Sequence, residues 1–167
     1  MWQVLFASLM LHACVAAAPS LQPIQLAAVQ ETLQRASDLD TSAITSVTDE
    51  ERFCTLNPTV ELIELKKVKH AKGNMVFSAN DRIQGDKLLV NNYDDESFTT
   101  AVDIEVQLKY TSASGNTLTS IEIYVDASAG DANAYLVGGG IGKNTAHILL
   151  ACNQTRTFSY EAYFYGY

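Results

Sequence analysis

The side chains that most often carry out catalysis are few and scattered in this sequence. Outside the N-terminal region the chain has two cysteines, Cys54 and Cys152, and two histidines, His70 and His147. A nucleophile needs a base within hydrogen-bonding distance, and a zinc site needs ligands at paired spacing. His70 lies in a lysine-rich segment and His147 in an apolar one, where a satisfied core histidine is expected. The sequence therefore predicts no catalytic residue, no metal site and no cofactor, and an enzyme is not expected.

Two further segments share some features with ligand sites. Residues 138–142 are glycine-rich like a phosphate loop, but the Gly-Lys-Ser/Thr ending and a following helix are missing. A glycine-rich hairpin between two strands is expected there instead. Residues 94–96 form an acidic cluster, and Asp103, Glu105 and Glu122 are expected to share its exposed face. Their spacing matches no calcium loop, which predicts a solvated acidic surface.

The N-terminus has the pattern of a secretory signal peptide. Residues 4–11 are apolar, and small residues follow up to Ala18. Val15 and Ala17 fit the small-x-small requirement, which predicts cleavage after Ala17 and a mature chain that starts at Ala18. The apolar run is too short to span a bilayer comfortably, so no membrane span is predicted. The protein is expected to be secreted.

Secretion would allow the cysteines to form a disulfide and one asparagine to carry a glycan. Cys14 would leave with the signal peptide, so Cys54 and Cys152 remain as an even pair in an oxidising compartment, and a disulfide between them is expected. It would close a loop of about a hundred residues and stabilise the fold by about 4 kcal/mol. Two buried free thiols are the alternative. The tripeptide that begins at Asn153 is an N-glycosylation acceptor, so a glycan is predicted at Asn153.

Composition limits the size and the partners of the protein. The chain has 167 residues, 47% of them hydrophobic and 18% charged, with a formal net charge of -8. This is the composition of one globular domain with a real core. An acidic surface repels the phosphates of nucleic acids and anionic lipids, so direct nucleic-acid binding is not expected. A protein partner or another extracellular ligand is expected instead.

Residues 18–52 differ from the rest of the predicted mature chain. Apolar side chains recur at helical spacing and predict a short amphipathic helix, with Leu26, Val29, Leu33 and Ala36 on one face. The stretch 37–51 is rich in serine, threonine and aspartate, which predicts a linker. The predicted organisation is a signal peptide at 1–17, a helical and linker extension at 18–52, and a β domain at 53–167.

From residue 58 onward the period of the apolar side chains changes to two, the period of β-strands. The clearest strand is 102–110, where five apolar residues alternate with polar ones, and 121–125 repeats this pattern. Further strands are predicted at 60–65, 75–78, 87–90, 134–137, 145–152 and 157–165. About eight strands without intervening helices predict an all-β fold, an antiparallel β-sandwich. A β-prism or a barrel is the alternative.

The last predicted strand is strongly aromatic on both faces. One face is formed by Phe158, Tyr160, Ala162 and Phe164. The other face carries Tyr163, Tyr165 and Tyr167. Either the N-terminal helix covers one face, or the tyrosines are exposed. Because exposed tyrosines are typical of protein interfaces and of sugar-binding platforms, these three residues are the candidate binding surface.

Five blocks in the second half of the chain resemble a known family. They are residues 85–89, 118–126, 132–134, 138–142 and 158–166. In order and spacing they resemble a family of small insect proteins that carries the label "transcription activator" and is named after the mediator partner of a multiprotein bridging factor. Its members include salivary and venom secreted peptides. The resemblance implies no catalytic residues, and the label implies a nuclear coactivator.

Three functions compete for this sequence. The leader, the cysteine pair and Asn153 favour a small secreted, non-enzymatic binding or effector protein of the kind found in saliva, venom or haemolymph. The family label favours a transcriptional coactivator that bridges two proteins. The aromatic last strand favours a carbohydrate-binding module.

Overall fold

A computed structural model describes residues 38–70 and 74–167 of the chain. Within these ranges the chain forms nine β-strands and one short helix. They are β1 (Leu39–Thr41), β2 (Thr45–Ser46), α1 (Phe53–Leu56), β3 (Ile63–Glu64), β4 (Lys66–Lys69), β5 (Met75–Ala79), β6 (Lys87–Thr111), β7 (Leu118–Ala127), β8 (Asn133–Gly139) and β9 (Thr145–Gly166). None of the described helical structure is long and apolar enough to cross a membrane. The predicted signal peptide and the predicted helix at residues 26–36 lie outside the described residues.

The nine strands belong to one antiparallel sheet. Its order is β1-β6-β9-β7-β5-β4, while β2 also pairs with β6 and β8 pairs with both β9 and β3. The prediction of an all-β antiparallel fold is confirmed. The two layers expected of a sandwich come from a single sheet that folds over on itself.

Two strands are much longer than the others and run through the whole sheet. β6 and β9 pair antiparallel from Lys87 opposite Gly166 to Thr111 opposite Thr145. β9 has 22 residues, and a straight strand of that length would measure roughly 70 Å at about 3.3 Å per residue. Strands this long must bend to fit a small domain. The sequence predicted each of them as two separate strands, because the bend interrupts the alternation of apolar residues.

The bend lies where the register of β6 against β9 shifts. Shifts occur between Ser97 and Val102 and again between Val102 and Ile104, and extra residues on one strand of a pair make it bend and twist more strongly. On β9, Gln154 has a φ angle of 51°, which is uncommon for a residue with a side chain. The Asp103 carboxylate stabilises this conformation, since its Oδ1 accepts hydrogen bonds from the backbone N–H of Gln154 at 2.8 Å and from Gln154 Nε2 at 2.9 Å.

The bend brings the two ends of β9 into one core. Tyr110 pairs with Ala146 near one end of β9, and Phe164 lies near the other end. About 18 residues, or roughly 60 Å of straight strand, separate Ala146 from Phe164. The rings of Tyr110 and Phe164 nevertheless stack with their centroids 5.4 Å apart. Even-numbered residues of β9 line this core on both sides of the bend, namely Ala146, Ile148, Leu150, Cys152, Phe158, Tyr160, Ala162 and Phe164. Of the two faces of the last predicted strand, the one that carries Phe158, Tyr160, Ala162 and Phe164 lies in the core.

The stretch predicted as a linker is part of the sheet. β1 and β2 pair with β6 along residues 104–110, and the backbone N–H of Val47 donates to the carbonyl oxygen of Asp103 at 2.8 Å. Ile44, between the two strands, is buried in the core. The linker prediction is therefore wrong from residue 38 onward, and the β domain begins before the predicted boundary at residue 53. Short edge strands pair through their backbones, so a polar sequence can form them without apolar alternation.

The helix α1 covers the outer face of the same part of the sheet. Phe53 is buried and packs edge-on against His147, with ring centroids 5.7 Å apart. Its backbone N–H donates to Glu105 Oε2 at 2.6 Å. The guanidinium of Arg52 donates to Asp103 Oδ2 at 2.6 Å. These contacts fix the short helix on the sheet.

The two long strands therefore have two halves with different surroundings. The covered half consists of residues 104–111 of β6 and 145–152 of β9, and β1, β2 and α1 lie against it. The uncovered half consists of residues 87–97 of β6 and 157–166 of β9, and it continues into β7, β5 and β4.

The glycine-rich segment between β8 and β9 is a hairpin, as predicted. Gly139 and Gly140 have φ angles of 67° and 109°, and the N–H of Gly140 donates to the carbonyl oxygen of Thr145 at 2.8 Å. A Cβ atom on Gly139 would lie 2.2 Å from that oxygen. The glycines are explained by the turn itself.

Candidate functional site

The two cysteines predicted to form a disulfide are free thiols in the structure. Cys152 is buried in the core, where its Sγ lies 3.7 Å from Asp131 Oδ1. Cys54 is exposed on α1 and shares a shallow surface cleft with Leu149 and Ala151 of β9. Alternate residues of a strand point to opposite faces, so the backbone of β9 lies between the two thiols. Burial raises the pKa of Cys152 to about 11.

The predicted glycan site, Asn153, lies at the bend of β9 and is exposed. Its Oδ1 accepts a hydrogen bond from Arg52 Nη2 at 2.9 Å. Thr155 of the same tripeptide is buried, and its hydroxyl donates to the carbonyl oxygen of Thr157 at 2.6 Å. The structure thus places the asparagine at the surface and the threonine in the core. Glycosylation of Asn153 stays a prediction.

The two histidines lie apart and have structural contacts. His147 is half-buried, and its Nε2 lies 3.1 Å from Gln107 Oε1. Burial lowers the pKa of His147 below its ordinary value, so the imidazole is neutral at pH 7. The backbone N–H of His70 donates to the carbonyl oxygen of Asn74. Within residues 38–70 and 74–167, no group of three His, Cys, Asp or Glu side chains is arranged to hold a metal ion.

The acidic residues expected to share one exposed face are divided between the two halves. Asp94 and Glu96 lie in the uncovered half, in the middle of β6. Asp103 and Glu105 are occupied by Arg52 and by the N–H of Phe53 at the edge of the covered half. The expectation of one shared acidic face is therefore wrong. Asp94 and Glu96 lie opposite Tyr160 and Phe158 of the core face, whereas Glu122 lies opposite Tyr163 of the outer face.

Two of the three predicted tyrosines are brought together on the outer face of the uncovered half. The rings of Tyr163 and Tyr165 are nearly parallel, with centroids 6.2 Å apart. Tyr124 on β7 meets Tyr163 edge-on at 5.9 Å and is 43% exposed. Tyr167 lies beyond the end of β9, where its backbone N–H and carbonyl pair with Thr117. Since cross-strand register decides which side chains meet, the sequence could identify Tyr163 and Tyr165 but not their contact with Tyr124.

Arg82 completes this row of rings. Its guanidinium carbon lies 3.5 Å from the centroid of the Tyr165 ring, a cation–π contact. Asp86 orients the guanidinium through bonds of 2.8 Å to Nε and 2.5 Å to Nη2. Asp86 also accepts hydrogen bonds from the Ile83 N–H and the Thr119 hydroxyl. The hydrogen bond from Arg82 is the main reason that the pKa of Asp86 falls to about 2.

Carboxylates lie between the tyrosines of this face. The hydroxyl of Tyr163 donates to Glu161, and that of Tyr124 donates to Glu122 Oε2 at 3.3 Å. The bond to Glu161 is the main reason that the pKa of Tyr163 rises to about 12. Tyr93 of β6 pairs with Glu161 across the strands and is 73% exposed. The hydroxyl groups of Tyr163 and Tyr124 are therefore held by carboxylates.

We call this surface the tyrosine face; it consists of Arg82, Tyr93, Glu122, Tyr124, Glu161, Tyr163 and Tyr165. The rings of Tyr124, Tyr163 and Tyr165 are held by contacts with one another and with Arg82 before any ligand arrives. Aromatic side chains that are rigid, apolar on the ring and polar at the tip lose little entropy on binding. The arrangement suits recognition of another molecule's surface.

The comparisons with known proteins place the chain in a family. The family described as "Transcription activator MBF2" matches residues 81–166, which span β6 to β9 and include every residue of the tyrosine face. No match was found among curated proteins or solved structures. Because the match covers just over half of the sequence, the chain belongs to the transcription activator MBF2 family.

Proposed function

We propose that the protein is non-enzymatic and works by binding another protein through the tyrosine face. The observation that carries this proposal is the row Arg82–Tyr165–Tyr163–Tyr124, which is ordered by its own contacts and lies at the surface. Tyrosine and arginine are enriched where proteins meet, and they dominate the energy of binding there.

The charge of the face favours a basic partner. Glu122 and Glu161 lie among the rings, while Asp126 borders the same face next to Tyr124. The chain as a whole has a net charge of -8. Opposite charges speed encounter and exclude wrong partners, so the expected partner presents lysine or arginine side chains.

Photo-crosslinking tests the binding surface. Tyr124 is replaced by p-benzoyl-phenylalanine, which keeps an aromatic ring at the same position on β7. The matched control places the same group at Lys109, an exposed residue of β6 in the covered half. The proposal expects a discrete protein adduct from position 124 and a much weaker one from position 109. Equal adducts from both positions would contradict it.

We also propose that this binding takes place outside the cell. The predicted leader at residues 1–17 and the surface position of Asn153 support secretion. The family description favours the second candidate, a coactivator that bridges proteins in the nucleus. Both candidates use protein binding, and they differ in where the chain is found.

Intact mass separates the two locations. The protein is recovered from the medium and from the nuclei of expressing cells, and each sample is weighed before and after glycan removal. A chain that starts at Ala18 in the medium, with a glycan at Asn153, supports secretion. A full-length chain in the nuclei supports the coactivator. A carbohydrate-binding module, the third candidate, would give reproducible signals on a glycan array that are lost with Tyr124→Ala.

A further inference from the structure

One long edge of the sheet has no partner strand among the described residues. β1 and β2 pair with β6 only at residues 104–110, and Val47 marks the end of this pairing at Asp103. From Lys87 to Ser97, β6 is paired with β9 on one side and with no described strand on the other. We call residues 87–97 of β6 the bare edge. An edge of this length offers a row of backbone donors and acceptors to an added strand.

Two outward N–H groups of the bare edge bond only to side chains of the same strand. The backbone N–H of Asp95 donates to Asp94 Oδ1 at 3.0 Å, and that of Ser97 donates to Glu96 Oε1 at 3.2 Å. In the covered half the corresponding groups bond to neighbouring segments, as the N–H of Thr111 does with the carbonyl oxygen of Asp38 at 2.7 Å. Backbone groups that another strand could satisfy are thus exposed in one half and used in the other.

The bare edge continues into the tyrosine face. Tyr93 belongs to both, since it lies on β6 and pairs with Glu161 of β9. A shallow groove beside the edge is lined by Asp95, Ser97 and Asp126, among others. A strand added here would have acidic groups beside it and exposed tyrosine rings on the outer face.

We propose that an extended, lysine- or arginine-rich segment of a partner protein pairs with residues 87–97 of β6 as an additional strand. This inference rests on the proposed function, because it names how the bound protein is held. Backbone hydrogen bonds supply the affinity of an added strand, and alternate side chains supply its specificity. The carbonyl groups of the incoming strand replace the Asp94 and Glu96 carboxylates at the two N–H groups. The released carboxylates then pair with the basic side chains of the partner.

The chain has a basic edge of its own, but it fits the bare edge poorly. β4 contains Lys66, Lys67 and Lys69 yet has only four residues. Lys67 Nζ already donates to the carbonyl oxygen of Ala132 and to Asn133 Oδ1. A four-residue strand with one of its lysines engaged would leave most of the bare edge unpaired. The length of the edge therefore favours a different protein over a second copy.

The test uses an eight-residue peptide of alternating lysine and valine whose two ends are blocked. Calorimetry measures its binding to the full predicted mature chain. Two control peptides have glutamate in place of lysine, or proline in the middle of the lysine peptide. The lysine peptide is expected to bind, with an affinity that falls as salt is raised, and the controls are not. Absence of binding by the lysine peptide, or equal binding by the proline peptide, would overturn the proposal.

Two variants of the protein show whether the bare edge is the site. Asp95→Pro removes one outward N–H, which an edge strand tolerates because that group is not paired with β9. Asp94→Asn with Glu96→Gln keeps the shape and removes two charges. Each is expected to weaken peptide binding about tenfold or more, whereas the matched charge control, Glu50→Gln with Glu61→Gln, changes it by less than about twofold. Because the double variant leaves the backbone intact, it remains informative if Asp95→Pro does not fold.

The outcomes separate this proposal from the proposed function. If position 124 still crosslinks to a protein while the lysine peptide fails to bind, the tyrosine face stands and the added strand is wrong. Self-association of the protein that Asp95→Pro abolishes would assign the bare edge to a second copy and would also overturn the proposal.

Discussion

The covered and uncovered halves of the β6–β9 ladder are built from the same two strands and differ in what lies against them. In the covered half, β1 and β2 pair with the edge of β6, and Phe53 packs on the outer face. In the uncovered half, the edge of β6 has no described partner strand, and the outer face carries the tyrosines. The described residues before 58 thus complete one half, and none of the described strands pairs with the edge of β6 in the other.

The difference shows how two similar surfaces come to have different roles. Both outer faces bear aromatic rings and carboxylates. In the covered half the carboxylates bond to Arg52 and to the N–H of Phe53 of the same chain. In the uncovered half the same types of group contact one another and remain at the surface. Exposed aromatic groups that lie together mark interaction sites.

The largest expected effect concerns the cysteines on the two sides of the covered half. In a protein that starts at Ala18, Cys54 should react with iodoacetamide at pH 8 while Cys152 stays unmodified. The thiol of Cys152 is buried and its pKa is about 11, so its rate should be lower by about a hundredfold or more, since the thiolate is the nucleophile. Mass spectrometry of the alkylated peptides gives both rates. Equal rates in the folded protein would show that the Cys152 thiol is accessible from solvent. As a control, denaturant should make the two rates converge.

The second prediction compares the two faces of the uncovered half. Phe164→Ala removes a ring that stacks on Tyr110 in the core, and the free energy of unfolding should fall by about 3–5 kcal/mol. Tyr163→Ala, one residue away on the outer face, should cost about 1–2 kcal/mol, the scale of its two partly exposed ring contacts with Tyr124 and Tyr165. Urea denaturation of both variants measures the difference. A cost at Tyr163 as large as that at Phe164 would mean that the tyrosine face belongs to the core.

The third prediction concerns the bend between the halves. Asp103→Ala removes hydrogen bonds to Gln154 and Arg52 and should lower the free energy of unfolding by about 2 kcal/mol, as expected for bonds to a charged group. Asp95→Ala, on the bare edge, should change it by less than about 0.5 kcal/mol. Urea denaturation again decides. If the two variants lower the free energy of unfolding by similar amounts, Asp103 does not stabilise the bend more than Asp95 stabilises the bare edge.

The sequence predicted the core well because alternation of apolar residues survives in the regular parts of the strands. It failed at the bend. The bulge between Ser97 and Val102 breaks the alternation there, so the sequence predicted two short strands where the structure has one long strand. It also failed for β1 and β2, whose polar residues join the sheet through backbone bonds. The even number of cysteines predicted a disulfide, but the number carries no information on which face of β9 each thiol occupies.

The smallest expected effect is the pH dependence contributed by Asp86 at the end of the tyrosine face. Its pKa is about 2 in the folded chain, chiefly because of the hydrogen bond from Arg82, and about 4 in an unfolded chain. The charged form is therefore stabilised by folding. That contribution is complete above about pH 4 and is lost as the pH falls through about 2. The urea midpoint of wild type should fall across this window more than that of Asp86→Asn, and parallel curves would show that the Arg82–Asp86 pair does not stabilise the fold.

Hydrogen exchange of the full predicted mature chain, with and without the alternating lysine–valine peptide, tests the central claim that the uncovered half is the binding surface. Mass spectrometry follows peptides from residues 87–97 and from residues 104–111 of β6. We expect the peptide to slow exchange at residues 87–97 and to leave residues 104–111 unchanged. Slowed exchange at residues 104–111, with none at residues 87–97, would contradict the account.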